Sequence, residues 1–232
     1  MKSASTSLPV VILISGSGSN LQVFIDAQHA GTLPIEIKAV ISNRQQAYGL
    51  QRAQQAGIHN EWLDHTAYSS REDFDAELQR RIDVHQPALV ILAGFMRILS
   101  ERFVNHYAGR MLNIHPSLLP KFRGLHTHQQ ALNADESEHG SSVHFVTAEL
   151  DGGPVVLQAS VPVEANDTAD SLAQRVLVQE HQIYPLVVMW FAQGRLSCKP
   201  ELRLDGQVLP QALRFNPRMI ANETLQDETP QA

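Results

Sequence analysis

Asn113 and His115 stand two residues apart in MLNIHPS (111–117), a segment that reads as a strand ended by Pro116. Successive side chains alternate across a strand, so the two residues share a face. Pro116 biases the residue before it towards extended backbone, which supports that reading. The pair has complementary abilities. An Asn amide can donate to a developing oxyanion, and a His can donate as imidazolium or shuttle a proton. Ser117 is close by, but no G-x-S-x-G elbow surrounds it. The bland alternative is a packed histidine and a turn asparagine just before SLLP.

A second candidate is Ser15-Gly16-Ser17-Gly18-Ser19-Asn20, which links the first strand to the first helix. Glycines allow close backbone approach, and a helix N-terminus offers unpaired N–H groups and a positive dipole end. The N–H groups of Gly18, Ser19 and Asn20 therefore suit a phosphate. The alternative is a tight turn with Ser19 or Asn20 as N-cap. A dinucleotide fingerprint needs a third glycine, where this chain has Leu21, and an acidic residue after the second strand, where it has Ser42-Asn43-Arg44. NAD binding is not expected.

Asp151 lies in Leu150-Asp151-Gly152-Gly153-Pro154. Asp-Gly-Gly is ordinary turn chemistry; the functional reading is a carboxylate that holds a catalytic histidine. The chain has 11 histidines, among them His126, His128, His139 and His144. They lack an H-E-x-x-H arrangement, a cysteine partner and an evident third ligand, so no metal is expected. Glu180, inside a long helical segment, is ambiguous.

The elements that must position these residues alternate as strand and helix. Segments 9–15, 35–42 and 87–95 read as buried strands, with a weaker one near 59–63. Continuous apolar runs suit a parallel sheet covered on both faces. Helices are expected near 21–30, 48–56, 70–86 (capped by Ser69 or Ser70) and 98–109. SSVHFVT and PVVLQASVPV are close enough to pair as antiparallel neighbours. A long helix starts at Asp167 or Thr168 and runs to about Gln193, with a bend or break at Pro185. Residues 195–209 read as a small hairpin. The fold class is α/β: a doubly wound, mostly parallel but mixed sheet with helices on both faces. Residues 1–232 read as a single domain, with 1–8 and 217–232 as flexible tails. In such sheets ligands bind beyond the carboxyl ends of the strands, where GSGSN, GFMRIL and NIHPS fall.

The bulk numbers agree. The formal net charge is −6, from 18 basic and 24 acidic groups, which argues against nucleic acid or an anionic membrane as partner. Cys198 is the only cysteine, there is no signal-peptide pattern, and the apolar runs are too short to span a bilayer. A cytoplasmic enzyme is the expectation, as monomer or homodimer.

The ordered set ISGSGSNL (14–21), LAGFMRIL (92–99), LNIHPSLLP (112–120), GLHTH (124–128), SVHFVT (142–147) and LDGGPV (150–155) resembles the bacterial phosphoribosylglycinamide formyltransferases, from about residue 9 to 209. The resemblance implies transfer of a formyl group from 10-formyltetrahydrofolate to the amine of glycinamide ribonucleotide in purine biosynthesis. Asn113 would bind the formyl oxygen, His115 would be the general acid or cationic stabiliser, and Asp151 would hold His115. Gly18, Ser19 and Asn20 would hold the phosphate, and Glu180 the glycinamide end. Arg71, Met96, Arg97, Ile98 and Leu99, with Asn113, would form the folate site. The family carries a Lys or Gln three residues before the helix glutamate; this chain has Leu177 there, so phosphate binding must lean on the loop. A 10-formyltetrahydrofolate hydrolase shares the Asn, His and Asp constellation but usually carries an N-terminal regulatory domain. Methionyl-tRNA formyltransferase adds a basic C-terminal domain. A non-catalytic folate or nucleotide binder is the alternative from another class.

Overall fold

The computed structural model describes residues 7–221. The elements run β1 (Leu8–Ile14), α1 (Ser19–His29), β2 (Ile35–Ser42), α2 (Tyr48–Gln55), β3 (Asn60–Trp62), α3 (Arg71–Asp83), β4 (Leu89–Leu92), α4 (Glu101–His106) and β5 (Met111–His115). They continue with α5 (Thr127–Asn133), β6 (Glu138–Phe145), β7 (Val155–Pro162), α6 (Ala169–Ala192), β8 (Leu196–Ser197), β9 (Arg203–Leu204), β10 (Gln207–Val208) and β11 (Leu213–Arg214).

Eight strands form one sheet in the order β11-β7-β6-β5-β4-β1-β2-β3. The five strands from β3 to β5 are parallel to one another, and β6 runs antiparallel to both β5 and β7. The mixed α/β sheet expected from the sequence is therefore present. Its topology explains the apolar runs. In β1, Val10, Ile12 and Ile14 face a core shared with α1, α2 and α6, while Val11 and Leu13 face a second core under α3 and α4. All five are fully buried, as a strand covered on both faces requires.

The chain winds outward from β1 to β3, then returns to β4 on the other side of β1. The carboxyl ends of β1 and β4 thus flank the switch point where an open α/β sheet leaves a crevice.

Four expectations are corrected. Gly18, not Ser19 or Asn20, is the N-cap of α1, with a left-handed φ of 71° and no side-chain cap. The reason is steric: a Cβ on Gly18 would lie 2.6 Å from Cα of Gly49 in α2. The break at Pro185 is absent, and α6 is one helix from Ala169 to Ala192. Ile183, Tyr184, Leu186, Val187 and Val188 are buried around the proline, so packing against the sheet outweighs one lost backbone hydrogen bond. Residues 196–208 make three short strands, β8 to β10, instead of one hairpin. Finally, the described parts of the expected tails make contacts: Leu8 pairs with Ile35 and Met219 packs on the main core. The remainder of the expected tails, 1–6 and 222–232, lies outside the described residues.

The other boundaries fall near expectation. Ser70 caps α3 by accepting from the Asp73 N–H at 3.1 Å. Thr168 and Ser171 form a reciprocal capping box at the start of α6. The short helix α5 was not foreseen. Among the described residues no helix is long and apolar enough to cross a membrane.

Candidate active site

Asn113 and His115 lie on one face at the carboxyl end of β5, beside the end of β4, where Leu92 is in register with Asn113. Two backbone carbonyls at this junction are tied to α6. The Tyr184 hydroxyl, fully buried, lies 3.0 Å from the carbonyl oxygens of both Leu92 and Leu112. Tyr184 thus fixes the strand ends that carry the loop after β4 and the Asn113–His115 pair.

His115 is buried, with Nε2 2.9 Å from the Phe122 carbonyl and Nδ1 3.5 Å from Oδ2 of Asp151. Each ring nitrogen thus faces an oxygen atom. Asp151 adopts a left-handed φ of 47° in its turn and accepts the Gly124 N–H at 2.9 Å. Its carboxylate therefore ties the 146–154 loop to the loop that wraps His115. An Arg123–Glu149 ion pair joins the same two loops on the outside. Asp-Gly-Gly is a turn, and the turn brings the Asp151 carboxylate beside His115.

Asn113 is oriented by His144, a partner that the sequence reading had weighed only as a metal ligand. Burial lowers the His144 pKa to about 4, against a smaller raising effect of its bond to Phe145. The neutral ring places its proton on Nδ1, 3.0 Å from the Phe145 carbonyl. Nε2 then accepts from the Asn113 amide at 3.1 Å. One amide N–H is engaged, and the second remains to meet an oxyanion.

The loop Ser15–Gly18 is braced from α2. The Gly49 N–H donates to the Gly16 carbonyl at 3.1 Å, and Arg52 Nε donates to the Ser17 carbonyl at 2.9 Å. α1 has no acidic residue in its first turn, and the first N–H groups of any helix lack intrahelical acceptors. Ser15 links this loop to the next: its hydroxyl donates to Asn43 Oδ1 at 2.5 Å and accepts the Met96 N–H at 2.7 Å.

Asn20 and Glu180 meet across 160 residues, with the Asn20 amide donating to Glu180 Oε2 at 2.7 Å. Burial raises the Glu180 pKa to about 7, with Asn20 opposing. Asn20 Oδ1 is buried without a hydrogen-bond partner. Glu180 sits one turn before Tyr184 on the same face of α6, so it belongs over the ends of β4 and β5.

Met96 and Ile98, about half exposed, flank Arg97, whose guanidinium lies 5.1 Å from the centroid of the Phe74 ring. Leu99 is buried. Arg71 opens α3 with its guanidinium exposed beside Glu72. Asp75, whose pKa burial raises, accepts the Ser100 N–H at 2.5 Å and pins the end of this segment. Exposed apolar side chains beside arginines form a surface suited to a flat ring system with a carboxylate tail.

The family profile described as formyl transferase matches residues 8–188. The chain belongs to the formyl transferase family. It is 59% identical over 202 residues to a protein of Escherichia coli named phosphoribosylglycinamide formyltransferase, covering 87% of this chain and 95% of that one. A protein of the same name from Haemophilus influenzae is 47% identical over 88% of this chain and 96% of its own length. The solved phosphoribosylglycinamide formyltransferase of Coxiella burnetii superposes with a TM-score of 0.84 at 53% identity, covering 89% of this chain and 99% of that chain.

Proposed function

We propose that this chain transfers the formyl group of 10-formyltetrahydrofolate to the amine of glycinamide ribonucleotide, a step of purine biosynthesis. The observation that carries the reading is the Asn113–His144 and His115–Asp151 arrangement at the end of β5, set beside a glycine-capped helix N-terminus. Relatives of nearly the same length that bear the enzyme's name support it.

In the proposed reaction the nucleotide amine attacks the formyl carbon, forming the new C–N bond. Asn113 donates its free N–H to the oxygen as charge develops, and His115 stabilises the same charge. The C–N10 bond then breaks, the carbonyl reforms, and the proton lost by the attacking amine ends on N10. Asp151 holds His115 in place throughout. Gly18, Ser19 and Asn20 hold the phosphate, with Arg52 bringing a cation to the loop where Leu177 supplies none. Glu180 receives the glycinamide amine. Arg71, Met96, Arg97, Ile98 and Leu99, with Asn113, form the folate surface. Asn113 and His115 supply the polarisation, so the proposal assigns no metal to the reaction.

The direct test is product identity. Incubation with both substrates should give the formylated nucleotide by mass spectrometry. Recovery of formate with the nucleotide unchanged would favour the hydrolase instead.

Two further results are expected. A methyl group at Gly18 meets Gly49 and a left-handed backbone, so Gly18→Ala should cost about 1–3 kcal/mol and raise KM for the nucleotide more than for the folate. An unchanged KM ratio would remove the loop from phosphate binding. Glu180 gives a pH signature. Between about 4.5 and about 7 the folded chain holds a proton that the unfolded chain has lost. The stability this group contributes is full below about 4.5 and is lost as pH rises through about 7. Glu180→Gln stays neutral, so it should gain on the wild type by on the order of 2–3 kcal/mol between pH 4.5 and 8 while weakening nucleotide binding. Urea melts of both proteins without substrate check it; a pH-independent difference would contradict it.

A further inference from the structure

His59, Glu61 and His85 come together at the β3 edge of the sheet, apart from β5, which carries Asn113 and His115. His59 and Glu61 are two apart at the start of the edge strand β3, so they share a face. The Val40 N–H donates to the His59 carbonyl, which fixes the backbone at that point. His85 lies in the turn just after α3, whose chain reverses at Gln86 with φ 47°. Glu61 is level with Ile41 of β2, on the edge strand of the sheet, whereas the proposed catalytic residues stand on β5, four strands away.

Glu61 Oε1 is 3.1 Å from His59 Nε2 and 3.8 Å from His85 Nε2. One ligand atom from each of the three residues lies within 4.8 Å of the other two. A tetrahedral cation with bonds of about 2.0–2.1 Å needs ligand atoms about 3.3 Å apart, so the pair at 3.1 Å already has that spacing and His85 needs a small approach. The second carboxylate oxygen is oriented from behind: Arg81 Nη1 donates to Glu61 Oε2 at 2.7 Å, which leaves Oε1 facing the two imidazoles. Arg81 and Lys38 are the cations that act on the cluster, and they temper its affinity. Among the described residues this is the one such group of three or more ligands; His128 and His139 pair at 3.2 Å nearer His115.

We propose that His59, Glu61 and His85 bind a zinc-class divalent cation, with water completing the coordination. Two imidazoles and one carboxylate match the preference of Zn2+. The bound ion ties the turn after α3 to the edge strand β3, a stabilising clip without a part in catalysis.

The probe is Zn2+ added to the full-length chain after chelator dialysis, followed by calorimetry and by competition with a chromophoric chelator. One strong site per chain is expected, with a melting temperature that rises with Zn2+. His59→Ala and His85→Ala should each weaken binding by about tenfold or more and abolish that rise. Both variants should keep wild-type turnover in metal-free buffer, showing that they fold. Co2+ in place of Zn2+ should give a visible absorption band that the same variants lose. Absence of stoichiometric binding would overturn the proposal. So would binding that survives the double variant, or that is lost in His128→Ala instead.

Discussion

Replacing His115 with alanine should lower kcat by about 10²–10⁴-fold, the largest effect expected of any single substitution. His115 is buried between the Phe122 carbonyl and Asp151, so its loss removes the ring that acts beside the developing charge. The phosphate loop is braced separately, through Gly49 and Arg52. Nucleotide affinity should therefore survive, and the loss should appear in kcat with little change in KM. Steady-state assays at saturating folate, with nucleotide binding measured by calorimetry, separate the two. Near-wild-type turnover would remove His115 from the mechanism. Loss of binding with intact kcat would make it a substrate-holding group.

Asn113→Ala should lower kcat by about 10²–10³-fold, the usual cost of one oxyanion donor. The expectation rests on a specific orientation. His144, held neutral by burial, accepts one amide N–H and leaves the other for the formyl oxygen. Asn113→Asp is the sharper variant: it removes the donor, keeps the size, and places a carboxylate near Asp151. It should be at least as slow as the alanine variant. If it retains activity, hydrogen-bond donation from position 113 is not what stabilises the transition state. The effects of Asn113 and His115 should be less than additive, since both act on one oxygen.

What could be read in the sequence follows the range of the interactions. That Asn113 and His115 share a face at a strand end was legible because strand periodicity is local and Pro116 fixes the backbone beside them; their roles came from the family resemblance. The glycine loop was legible for the same reason, although its cap was not: Gly18 is required by Gly49, a residue of the following helix. Asp151 looked like a turn residue, and its meeting with His115 depends on a loop crossing that spacing alone does not reveal. His144 reaches Asn113 through the antiparallel register of β5 and β6, and Glu180 reaches Asn20 across 160 residues. Tyr184 bridges strand ends 92 and 72 residues away. None of these contacts leaves a short-range pattern. Of the bend or break expected at Pro185, the break is absent because burial of its neighbours, a tertiary effect, holds the helix together. The His59, Glu61 and His85 cluster left no pattern in the sequence, since His85 comes from the far end of α3.

The most direct test of the central claim is the release of tetrahydrofolate from 10-formyltetrahydrofolate, followed by absorbance with and without glycinamide ribonucleotide. The account predicts turnover only when the nucleotide is present, because its amine is the nucleophile that Asn113, His115 and Glu180 are arranged around. Equal release without the nucleotide would mean that water is the acceptor, and would contradict both the proposed transfer and the role given to the phosphate loop.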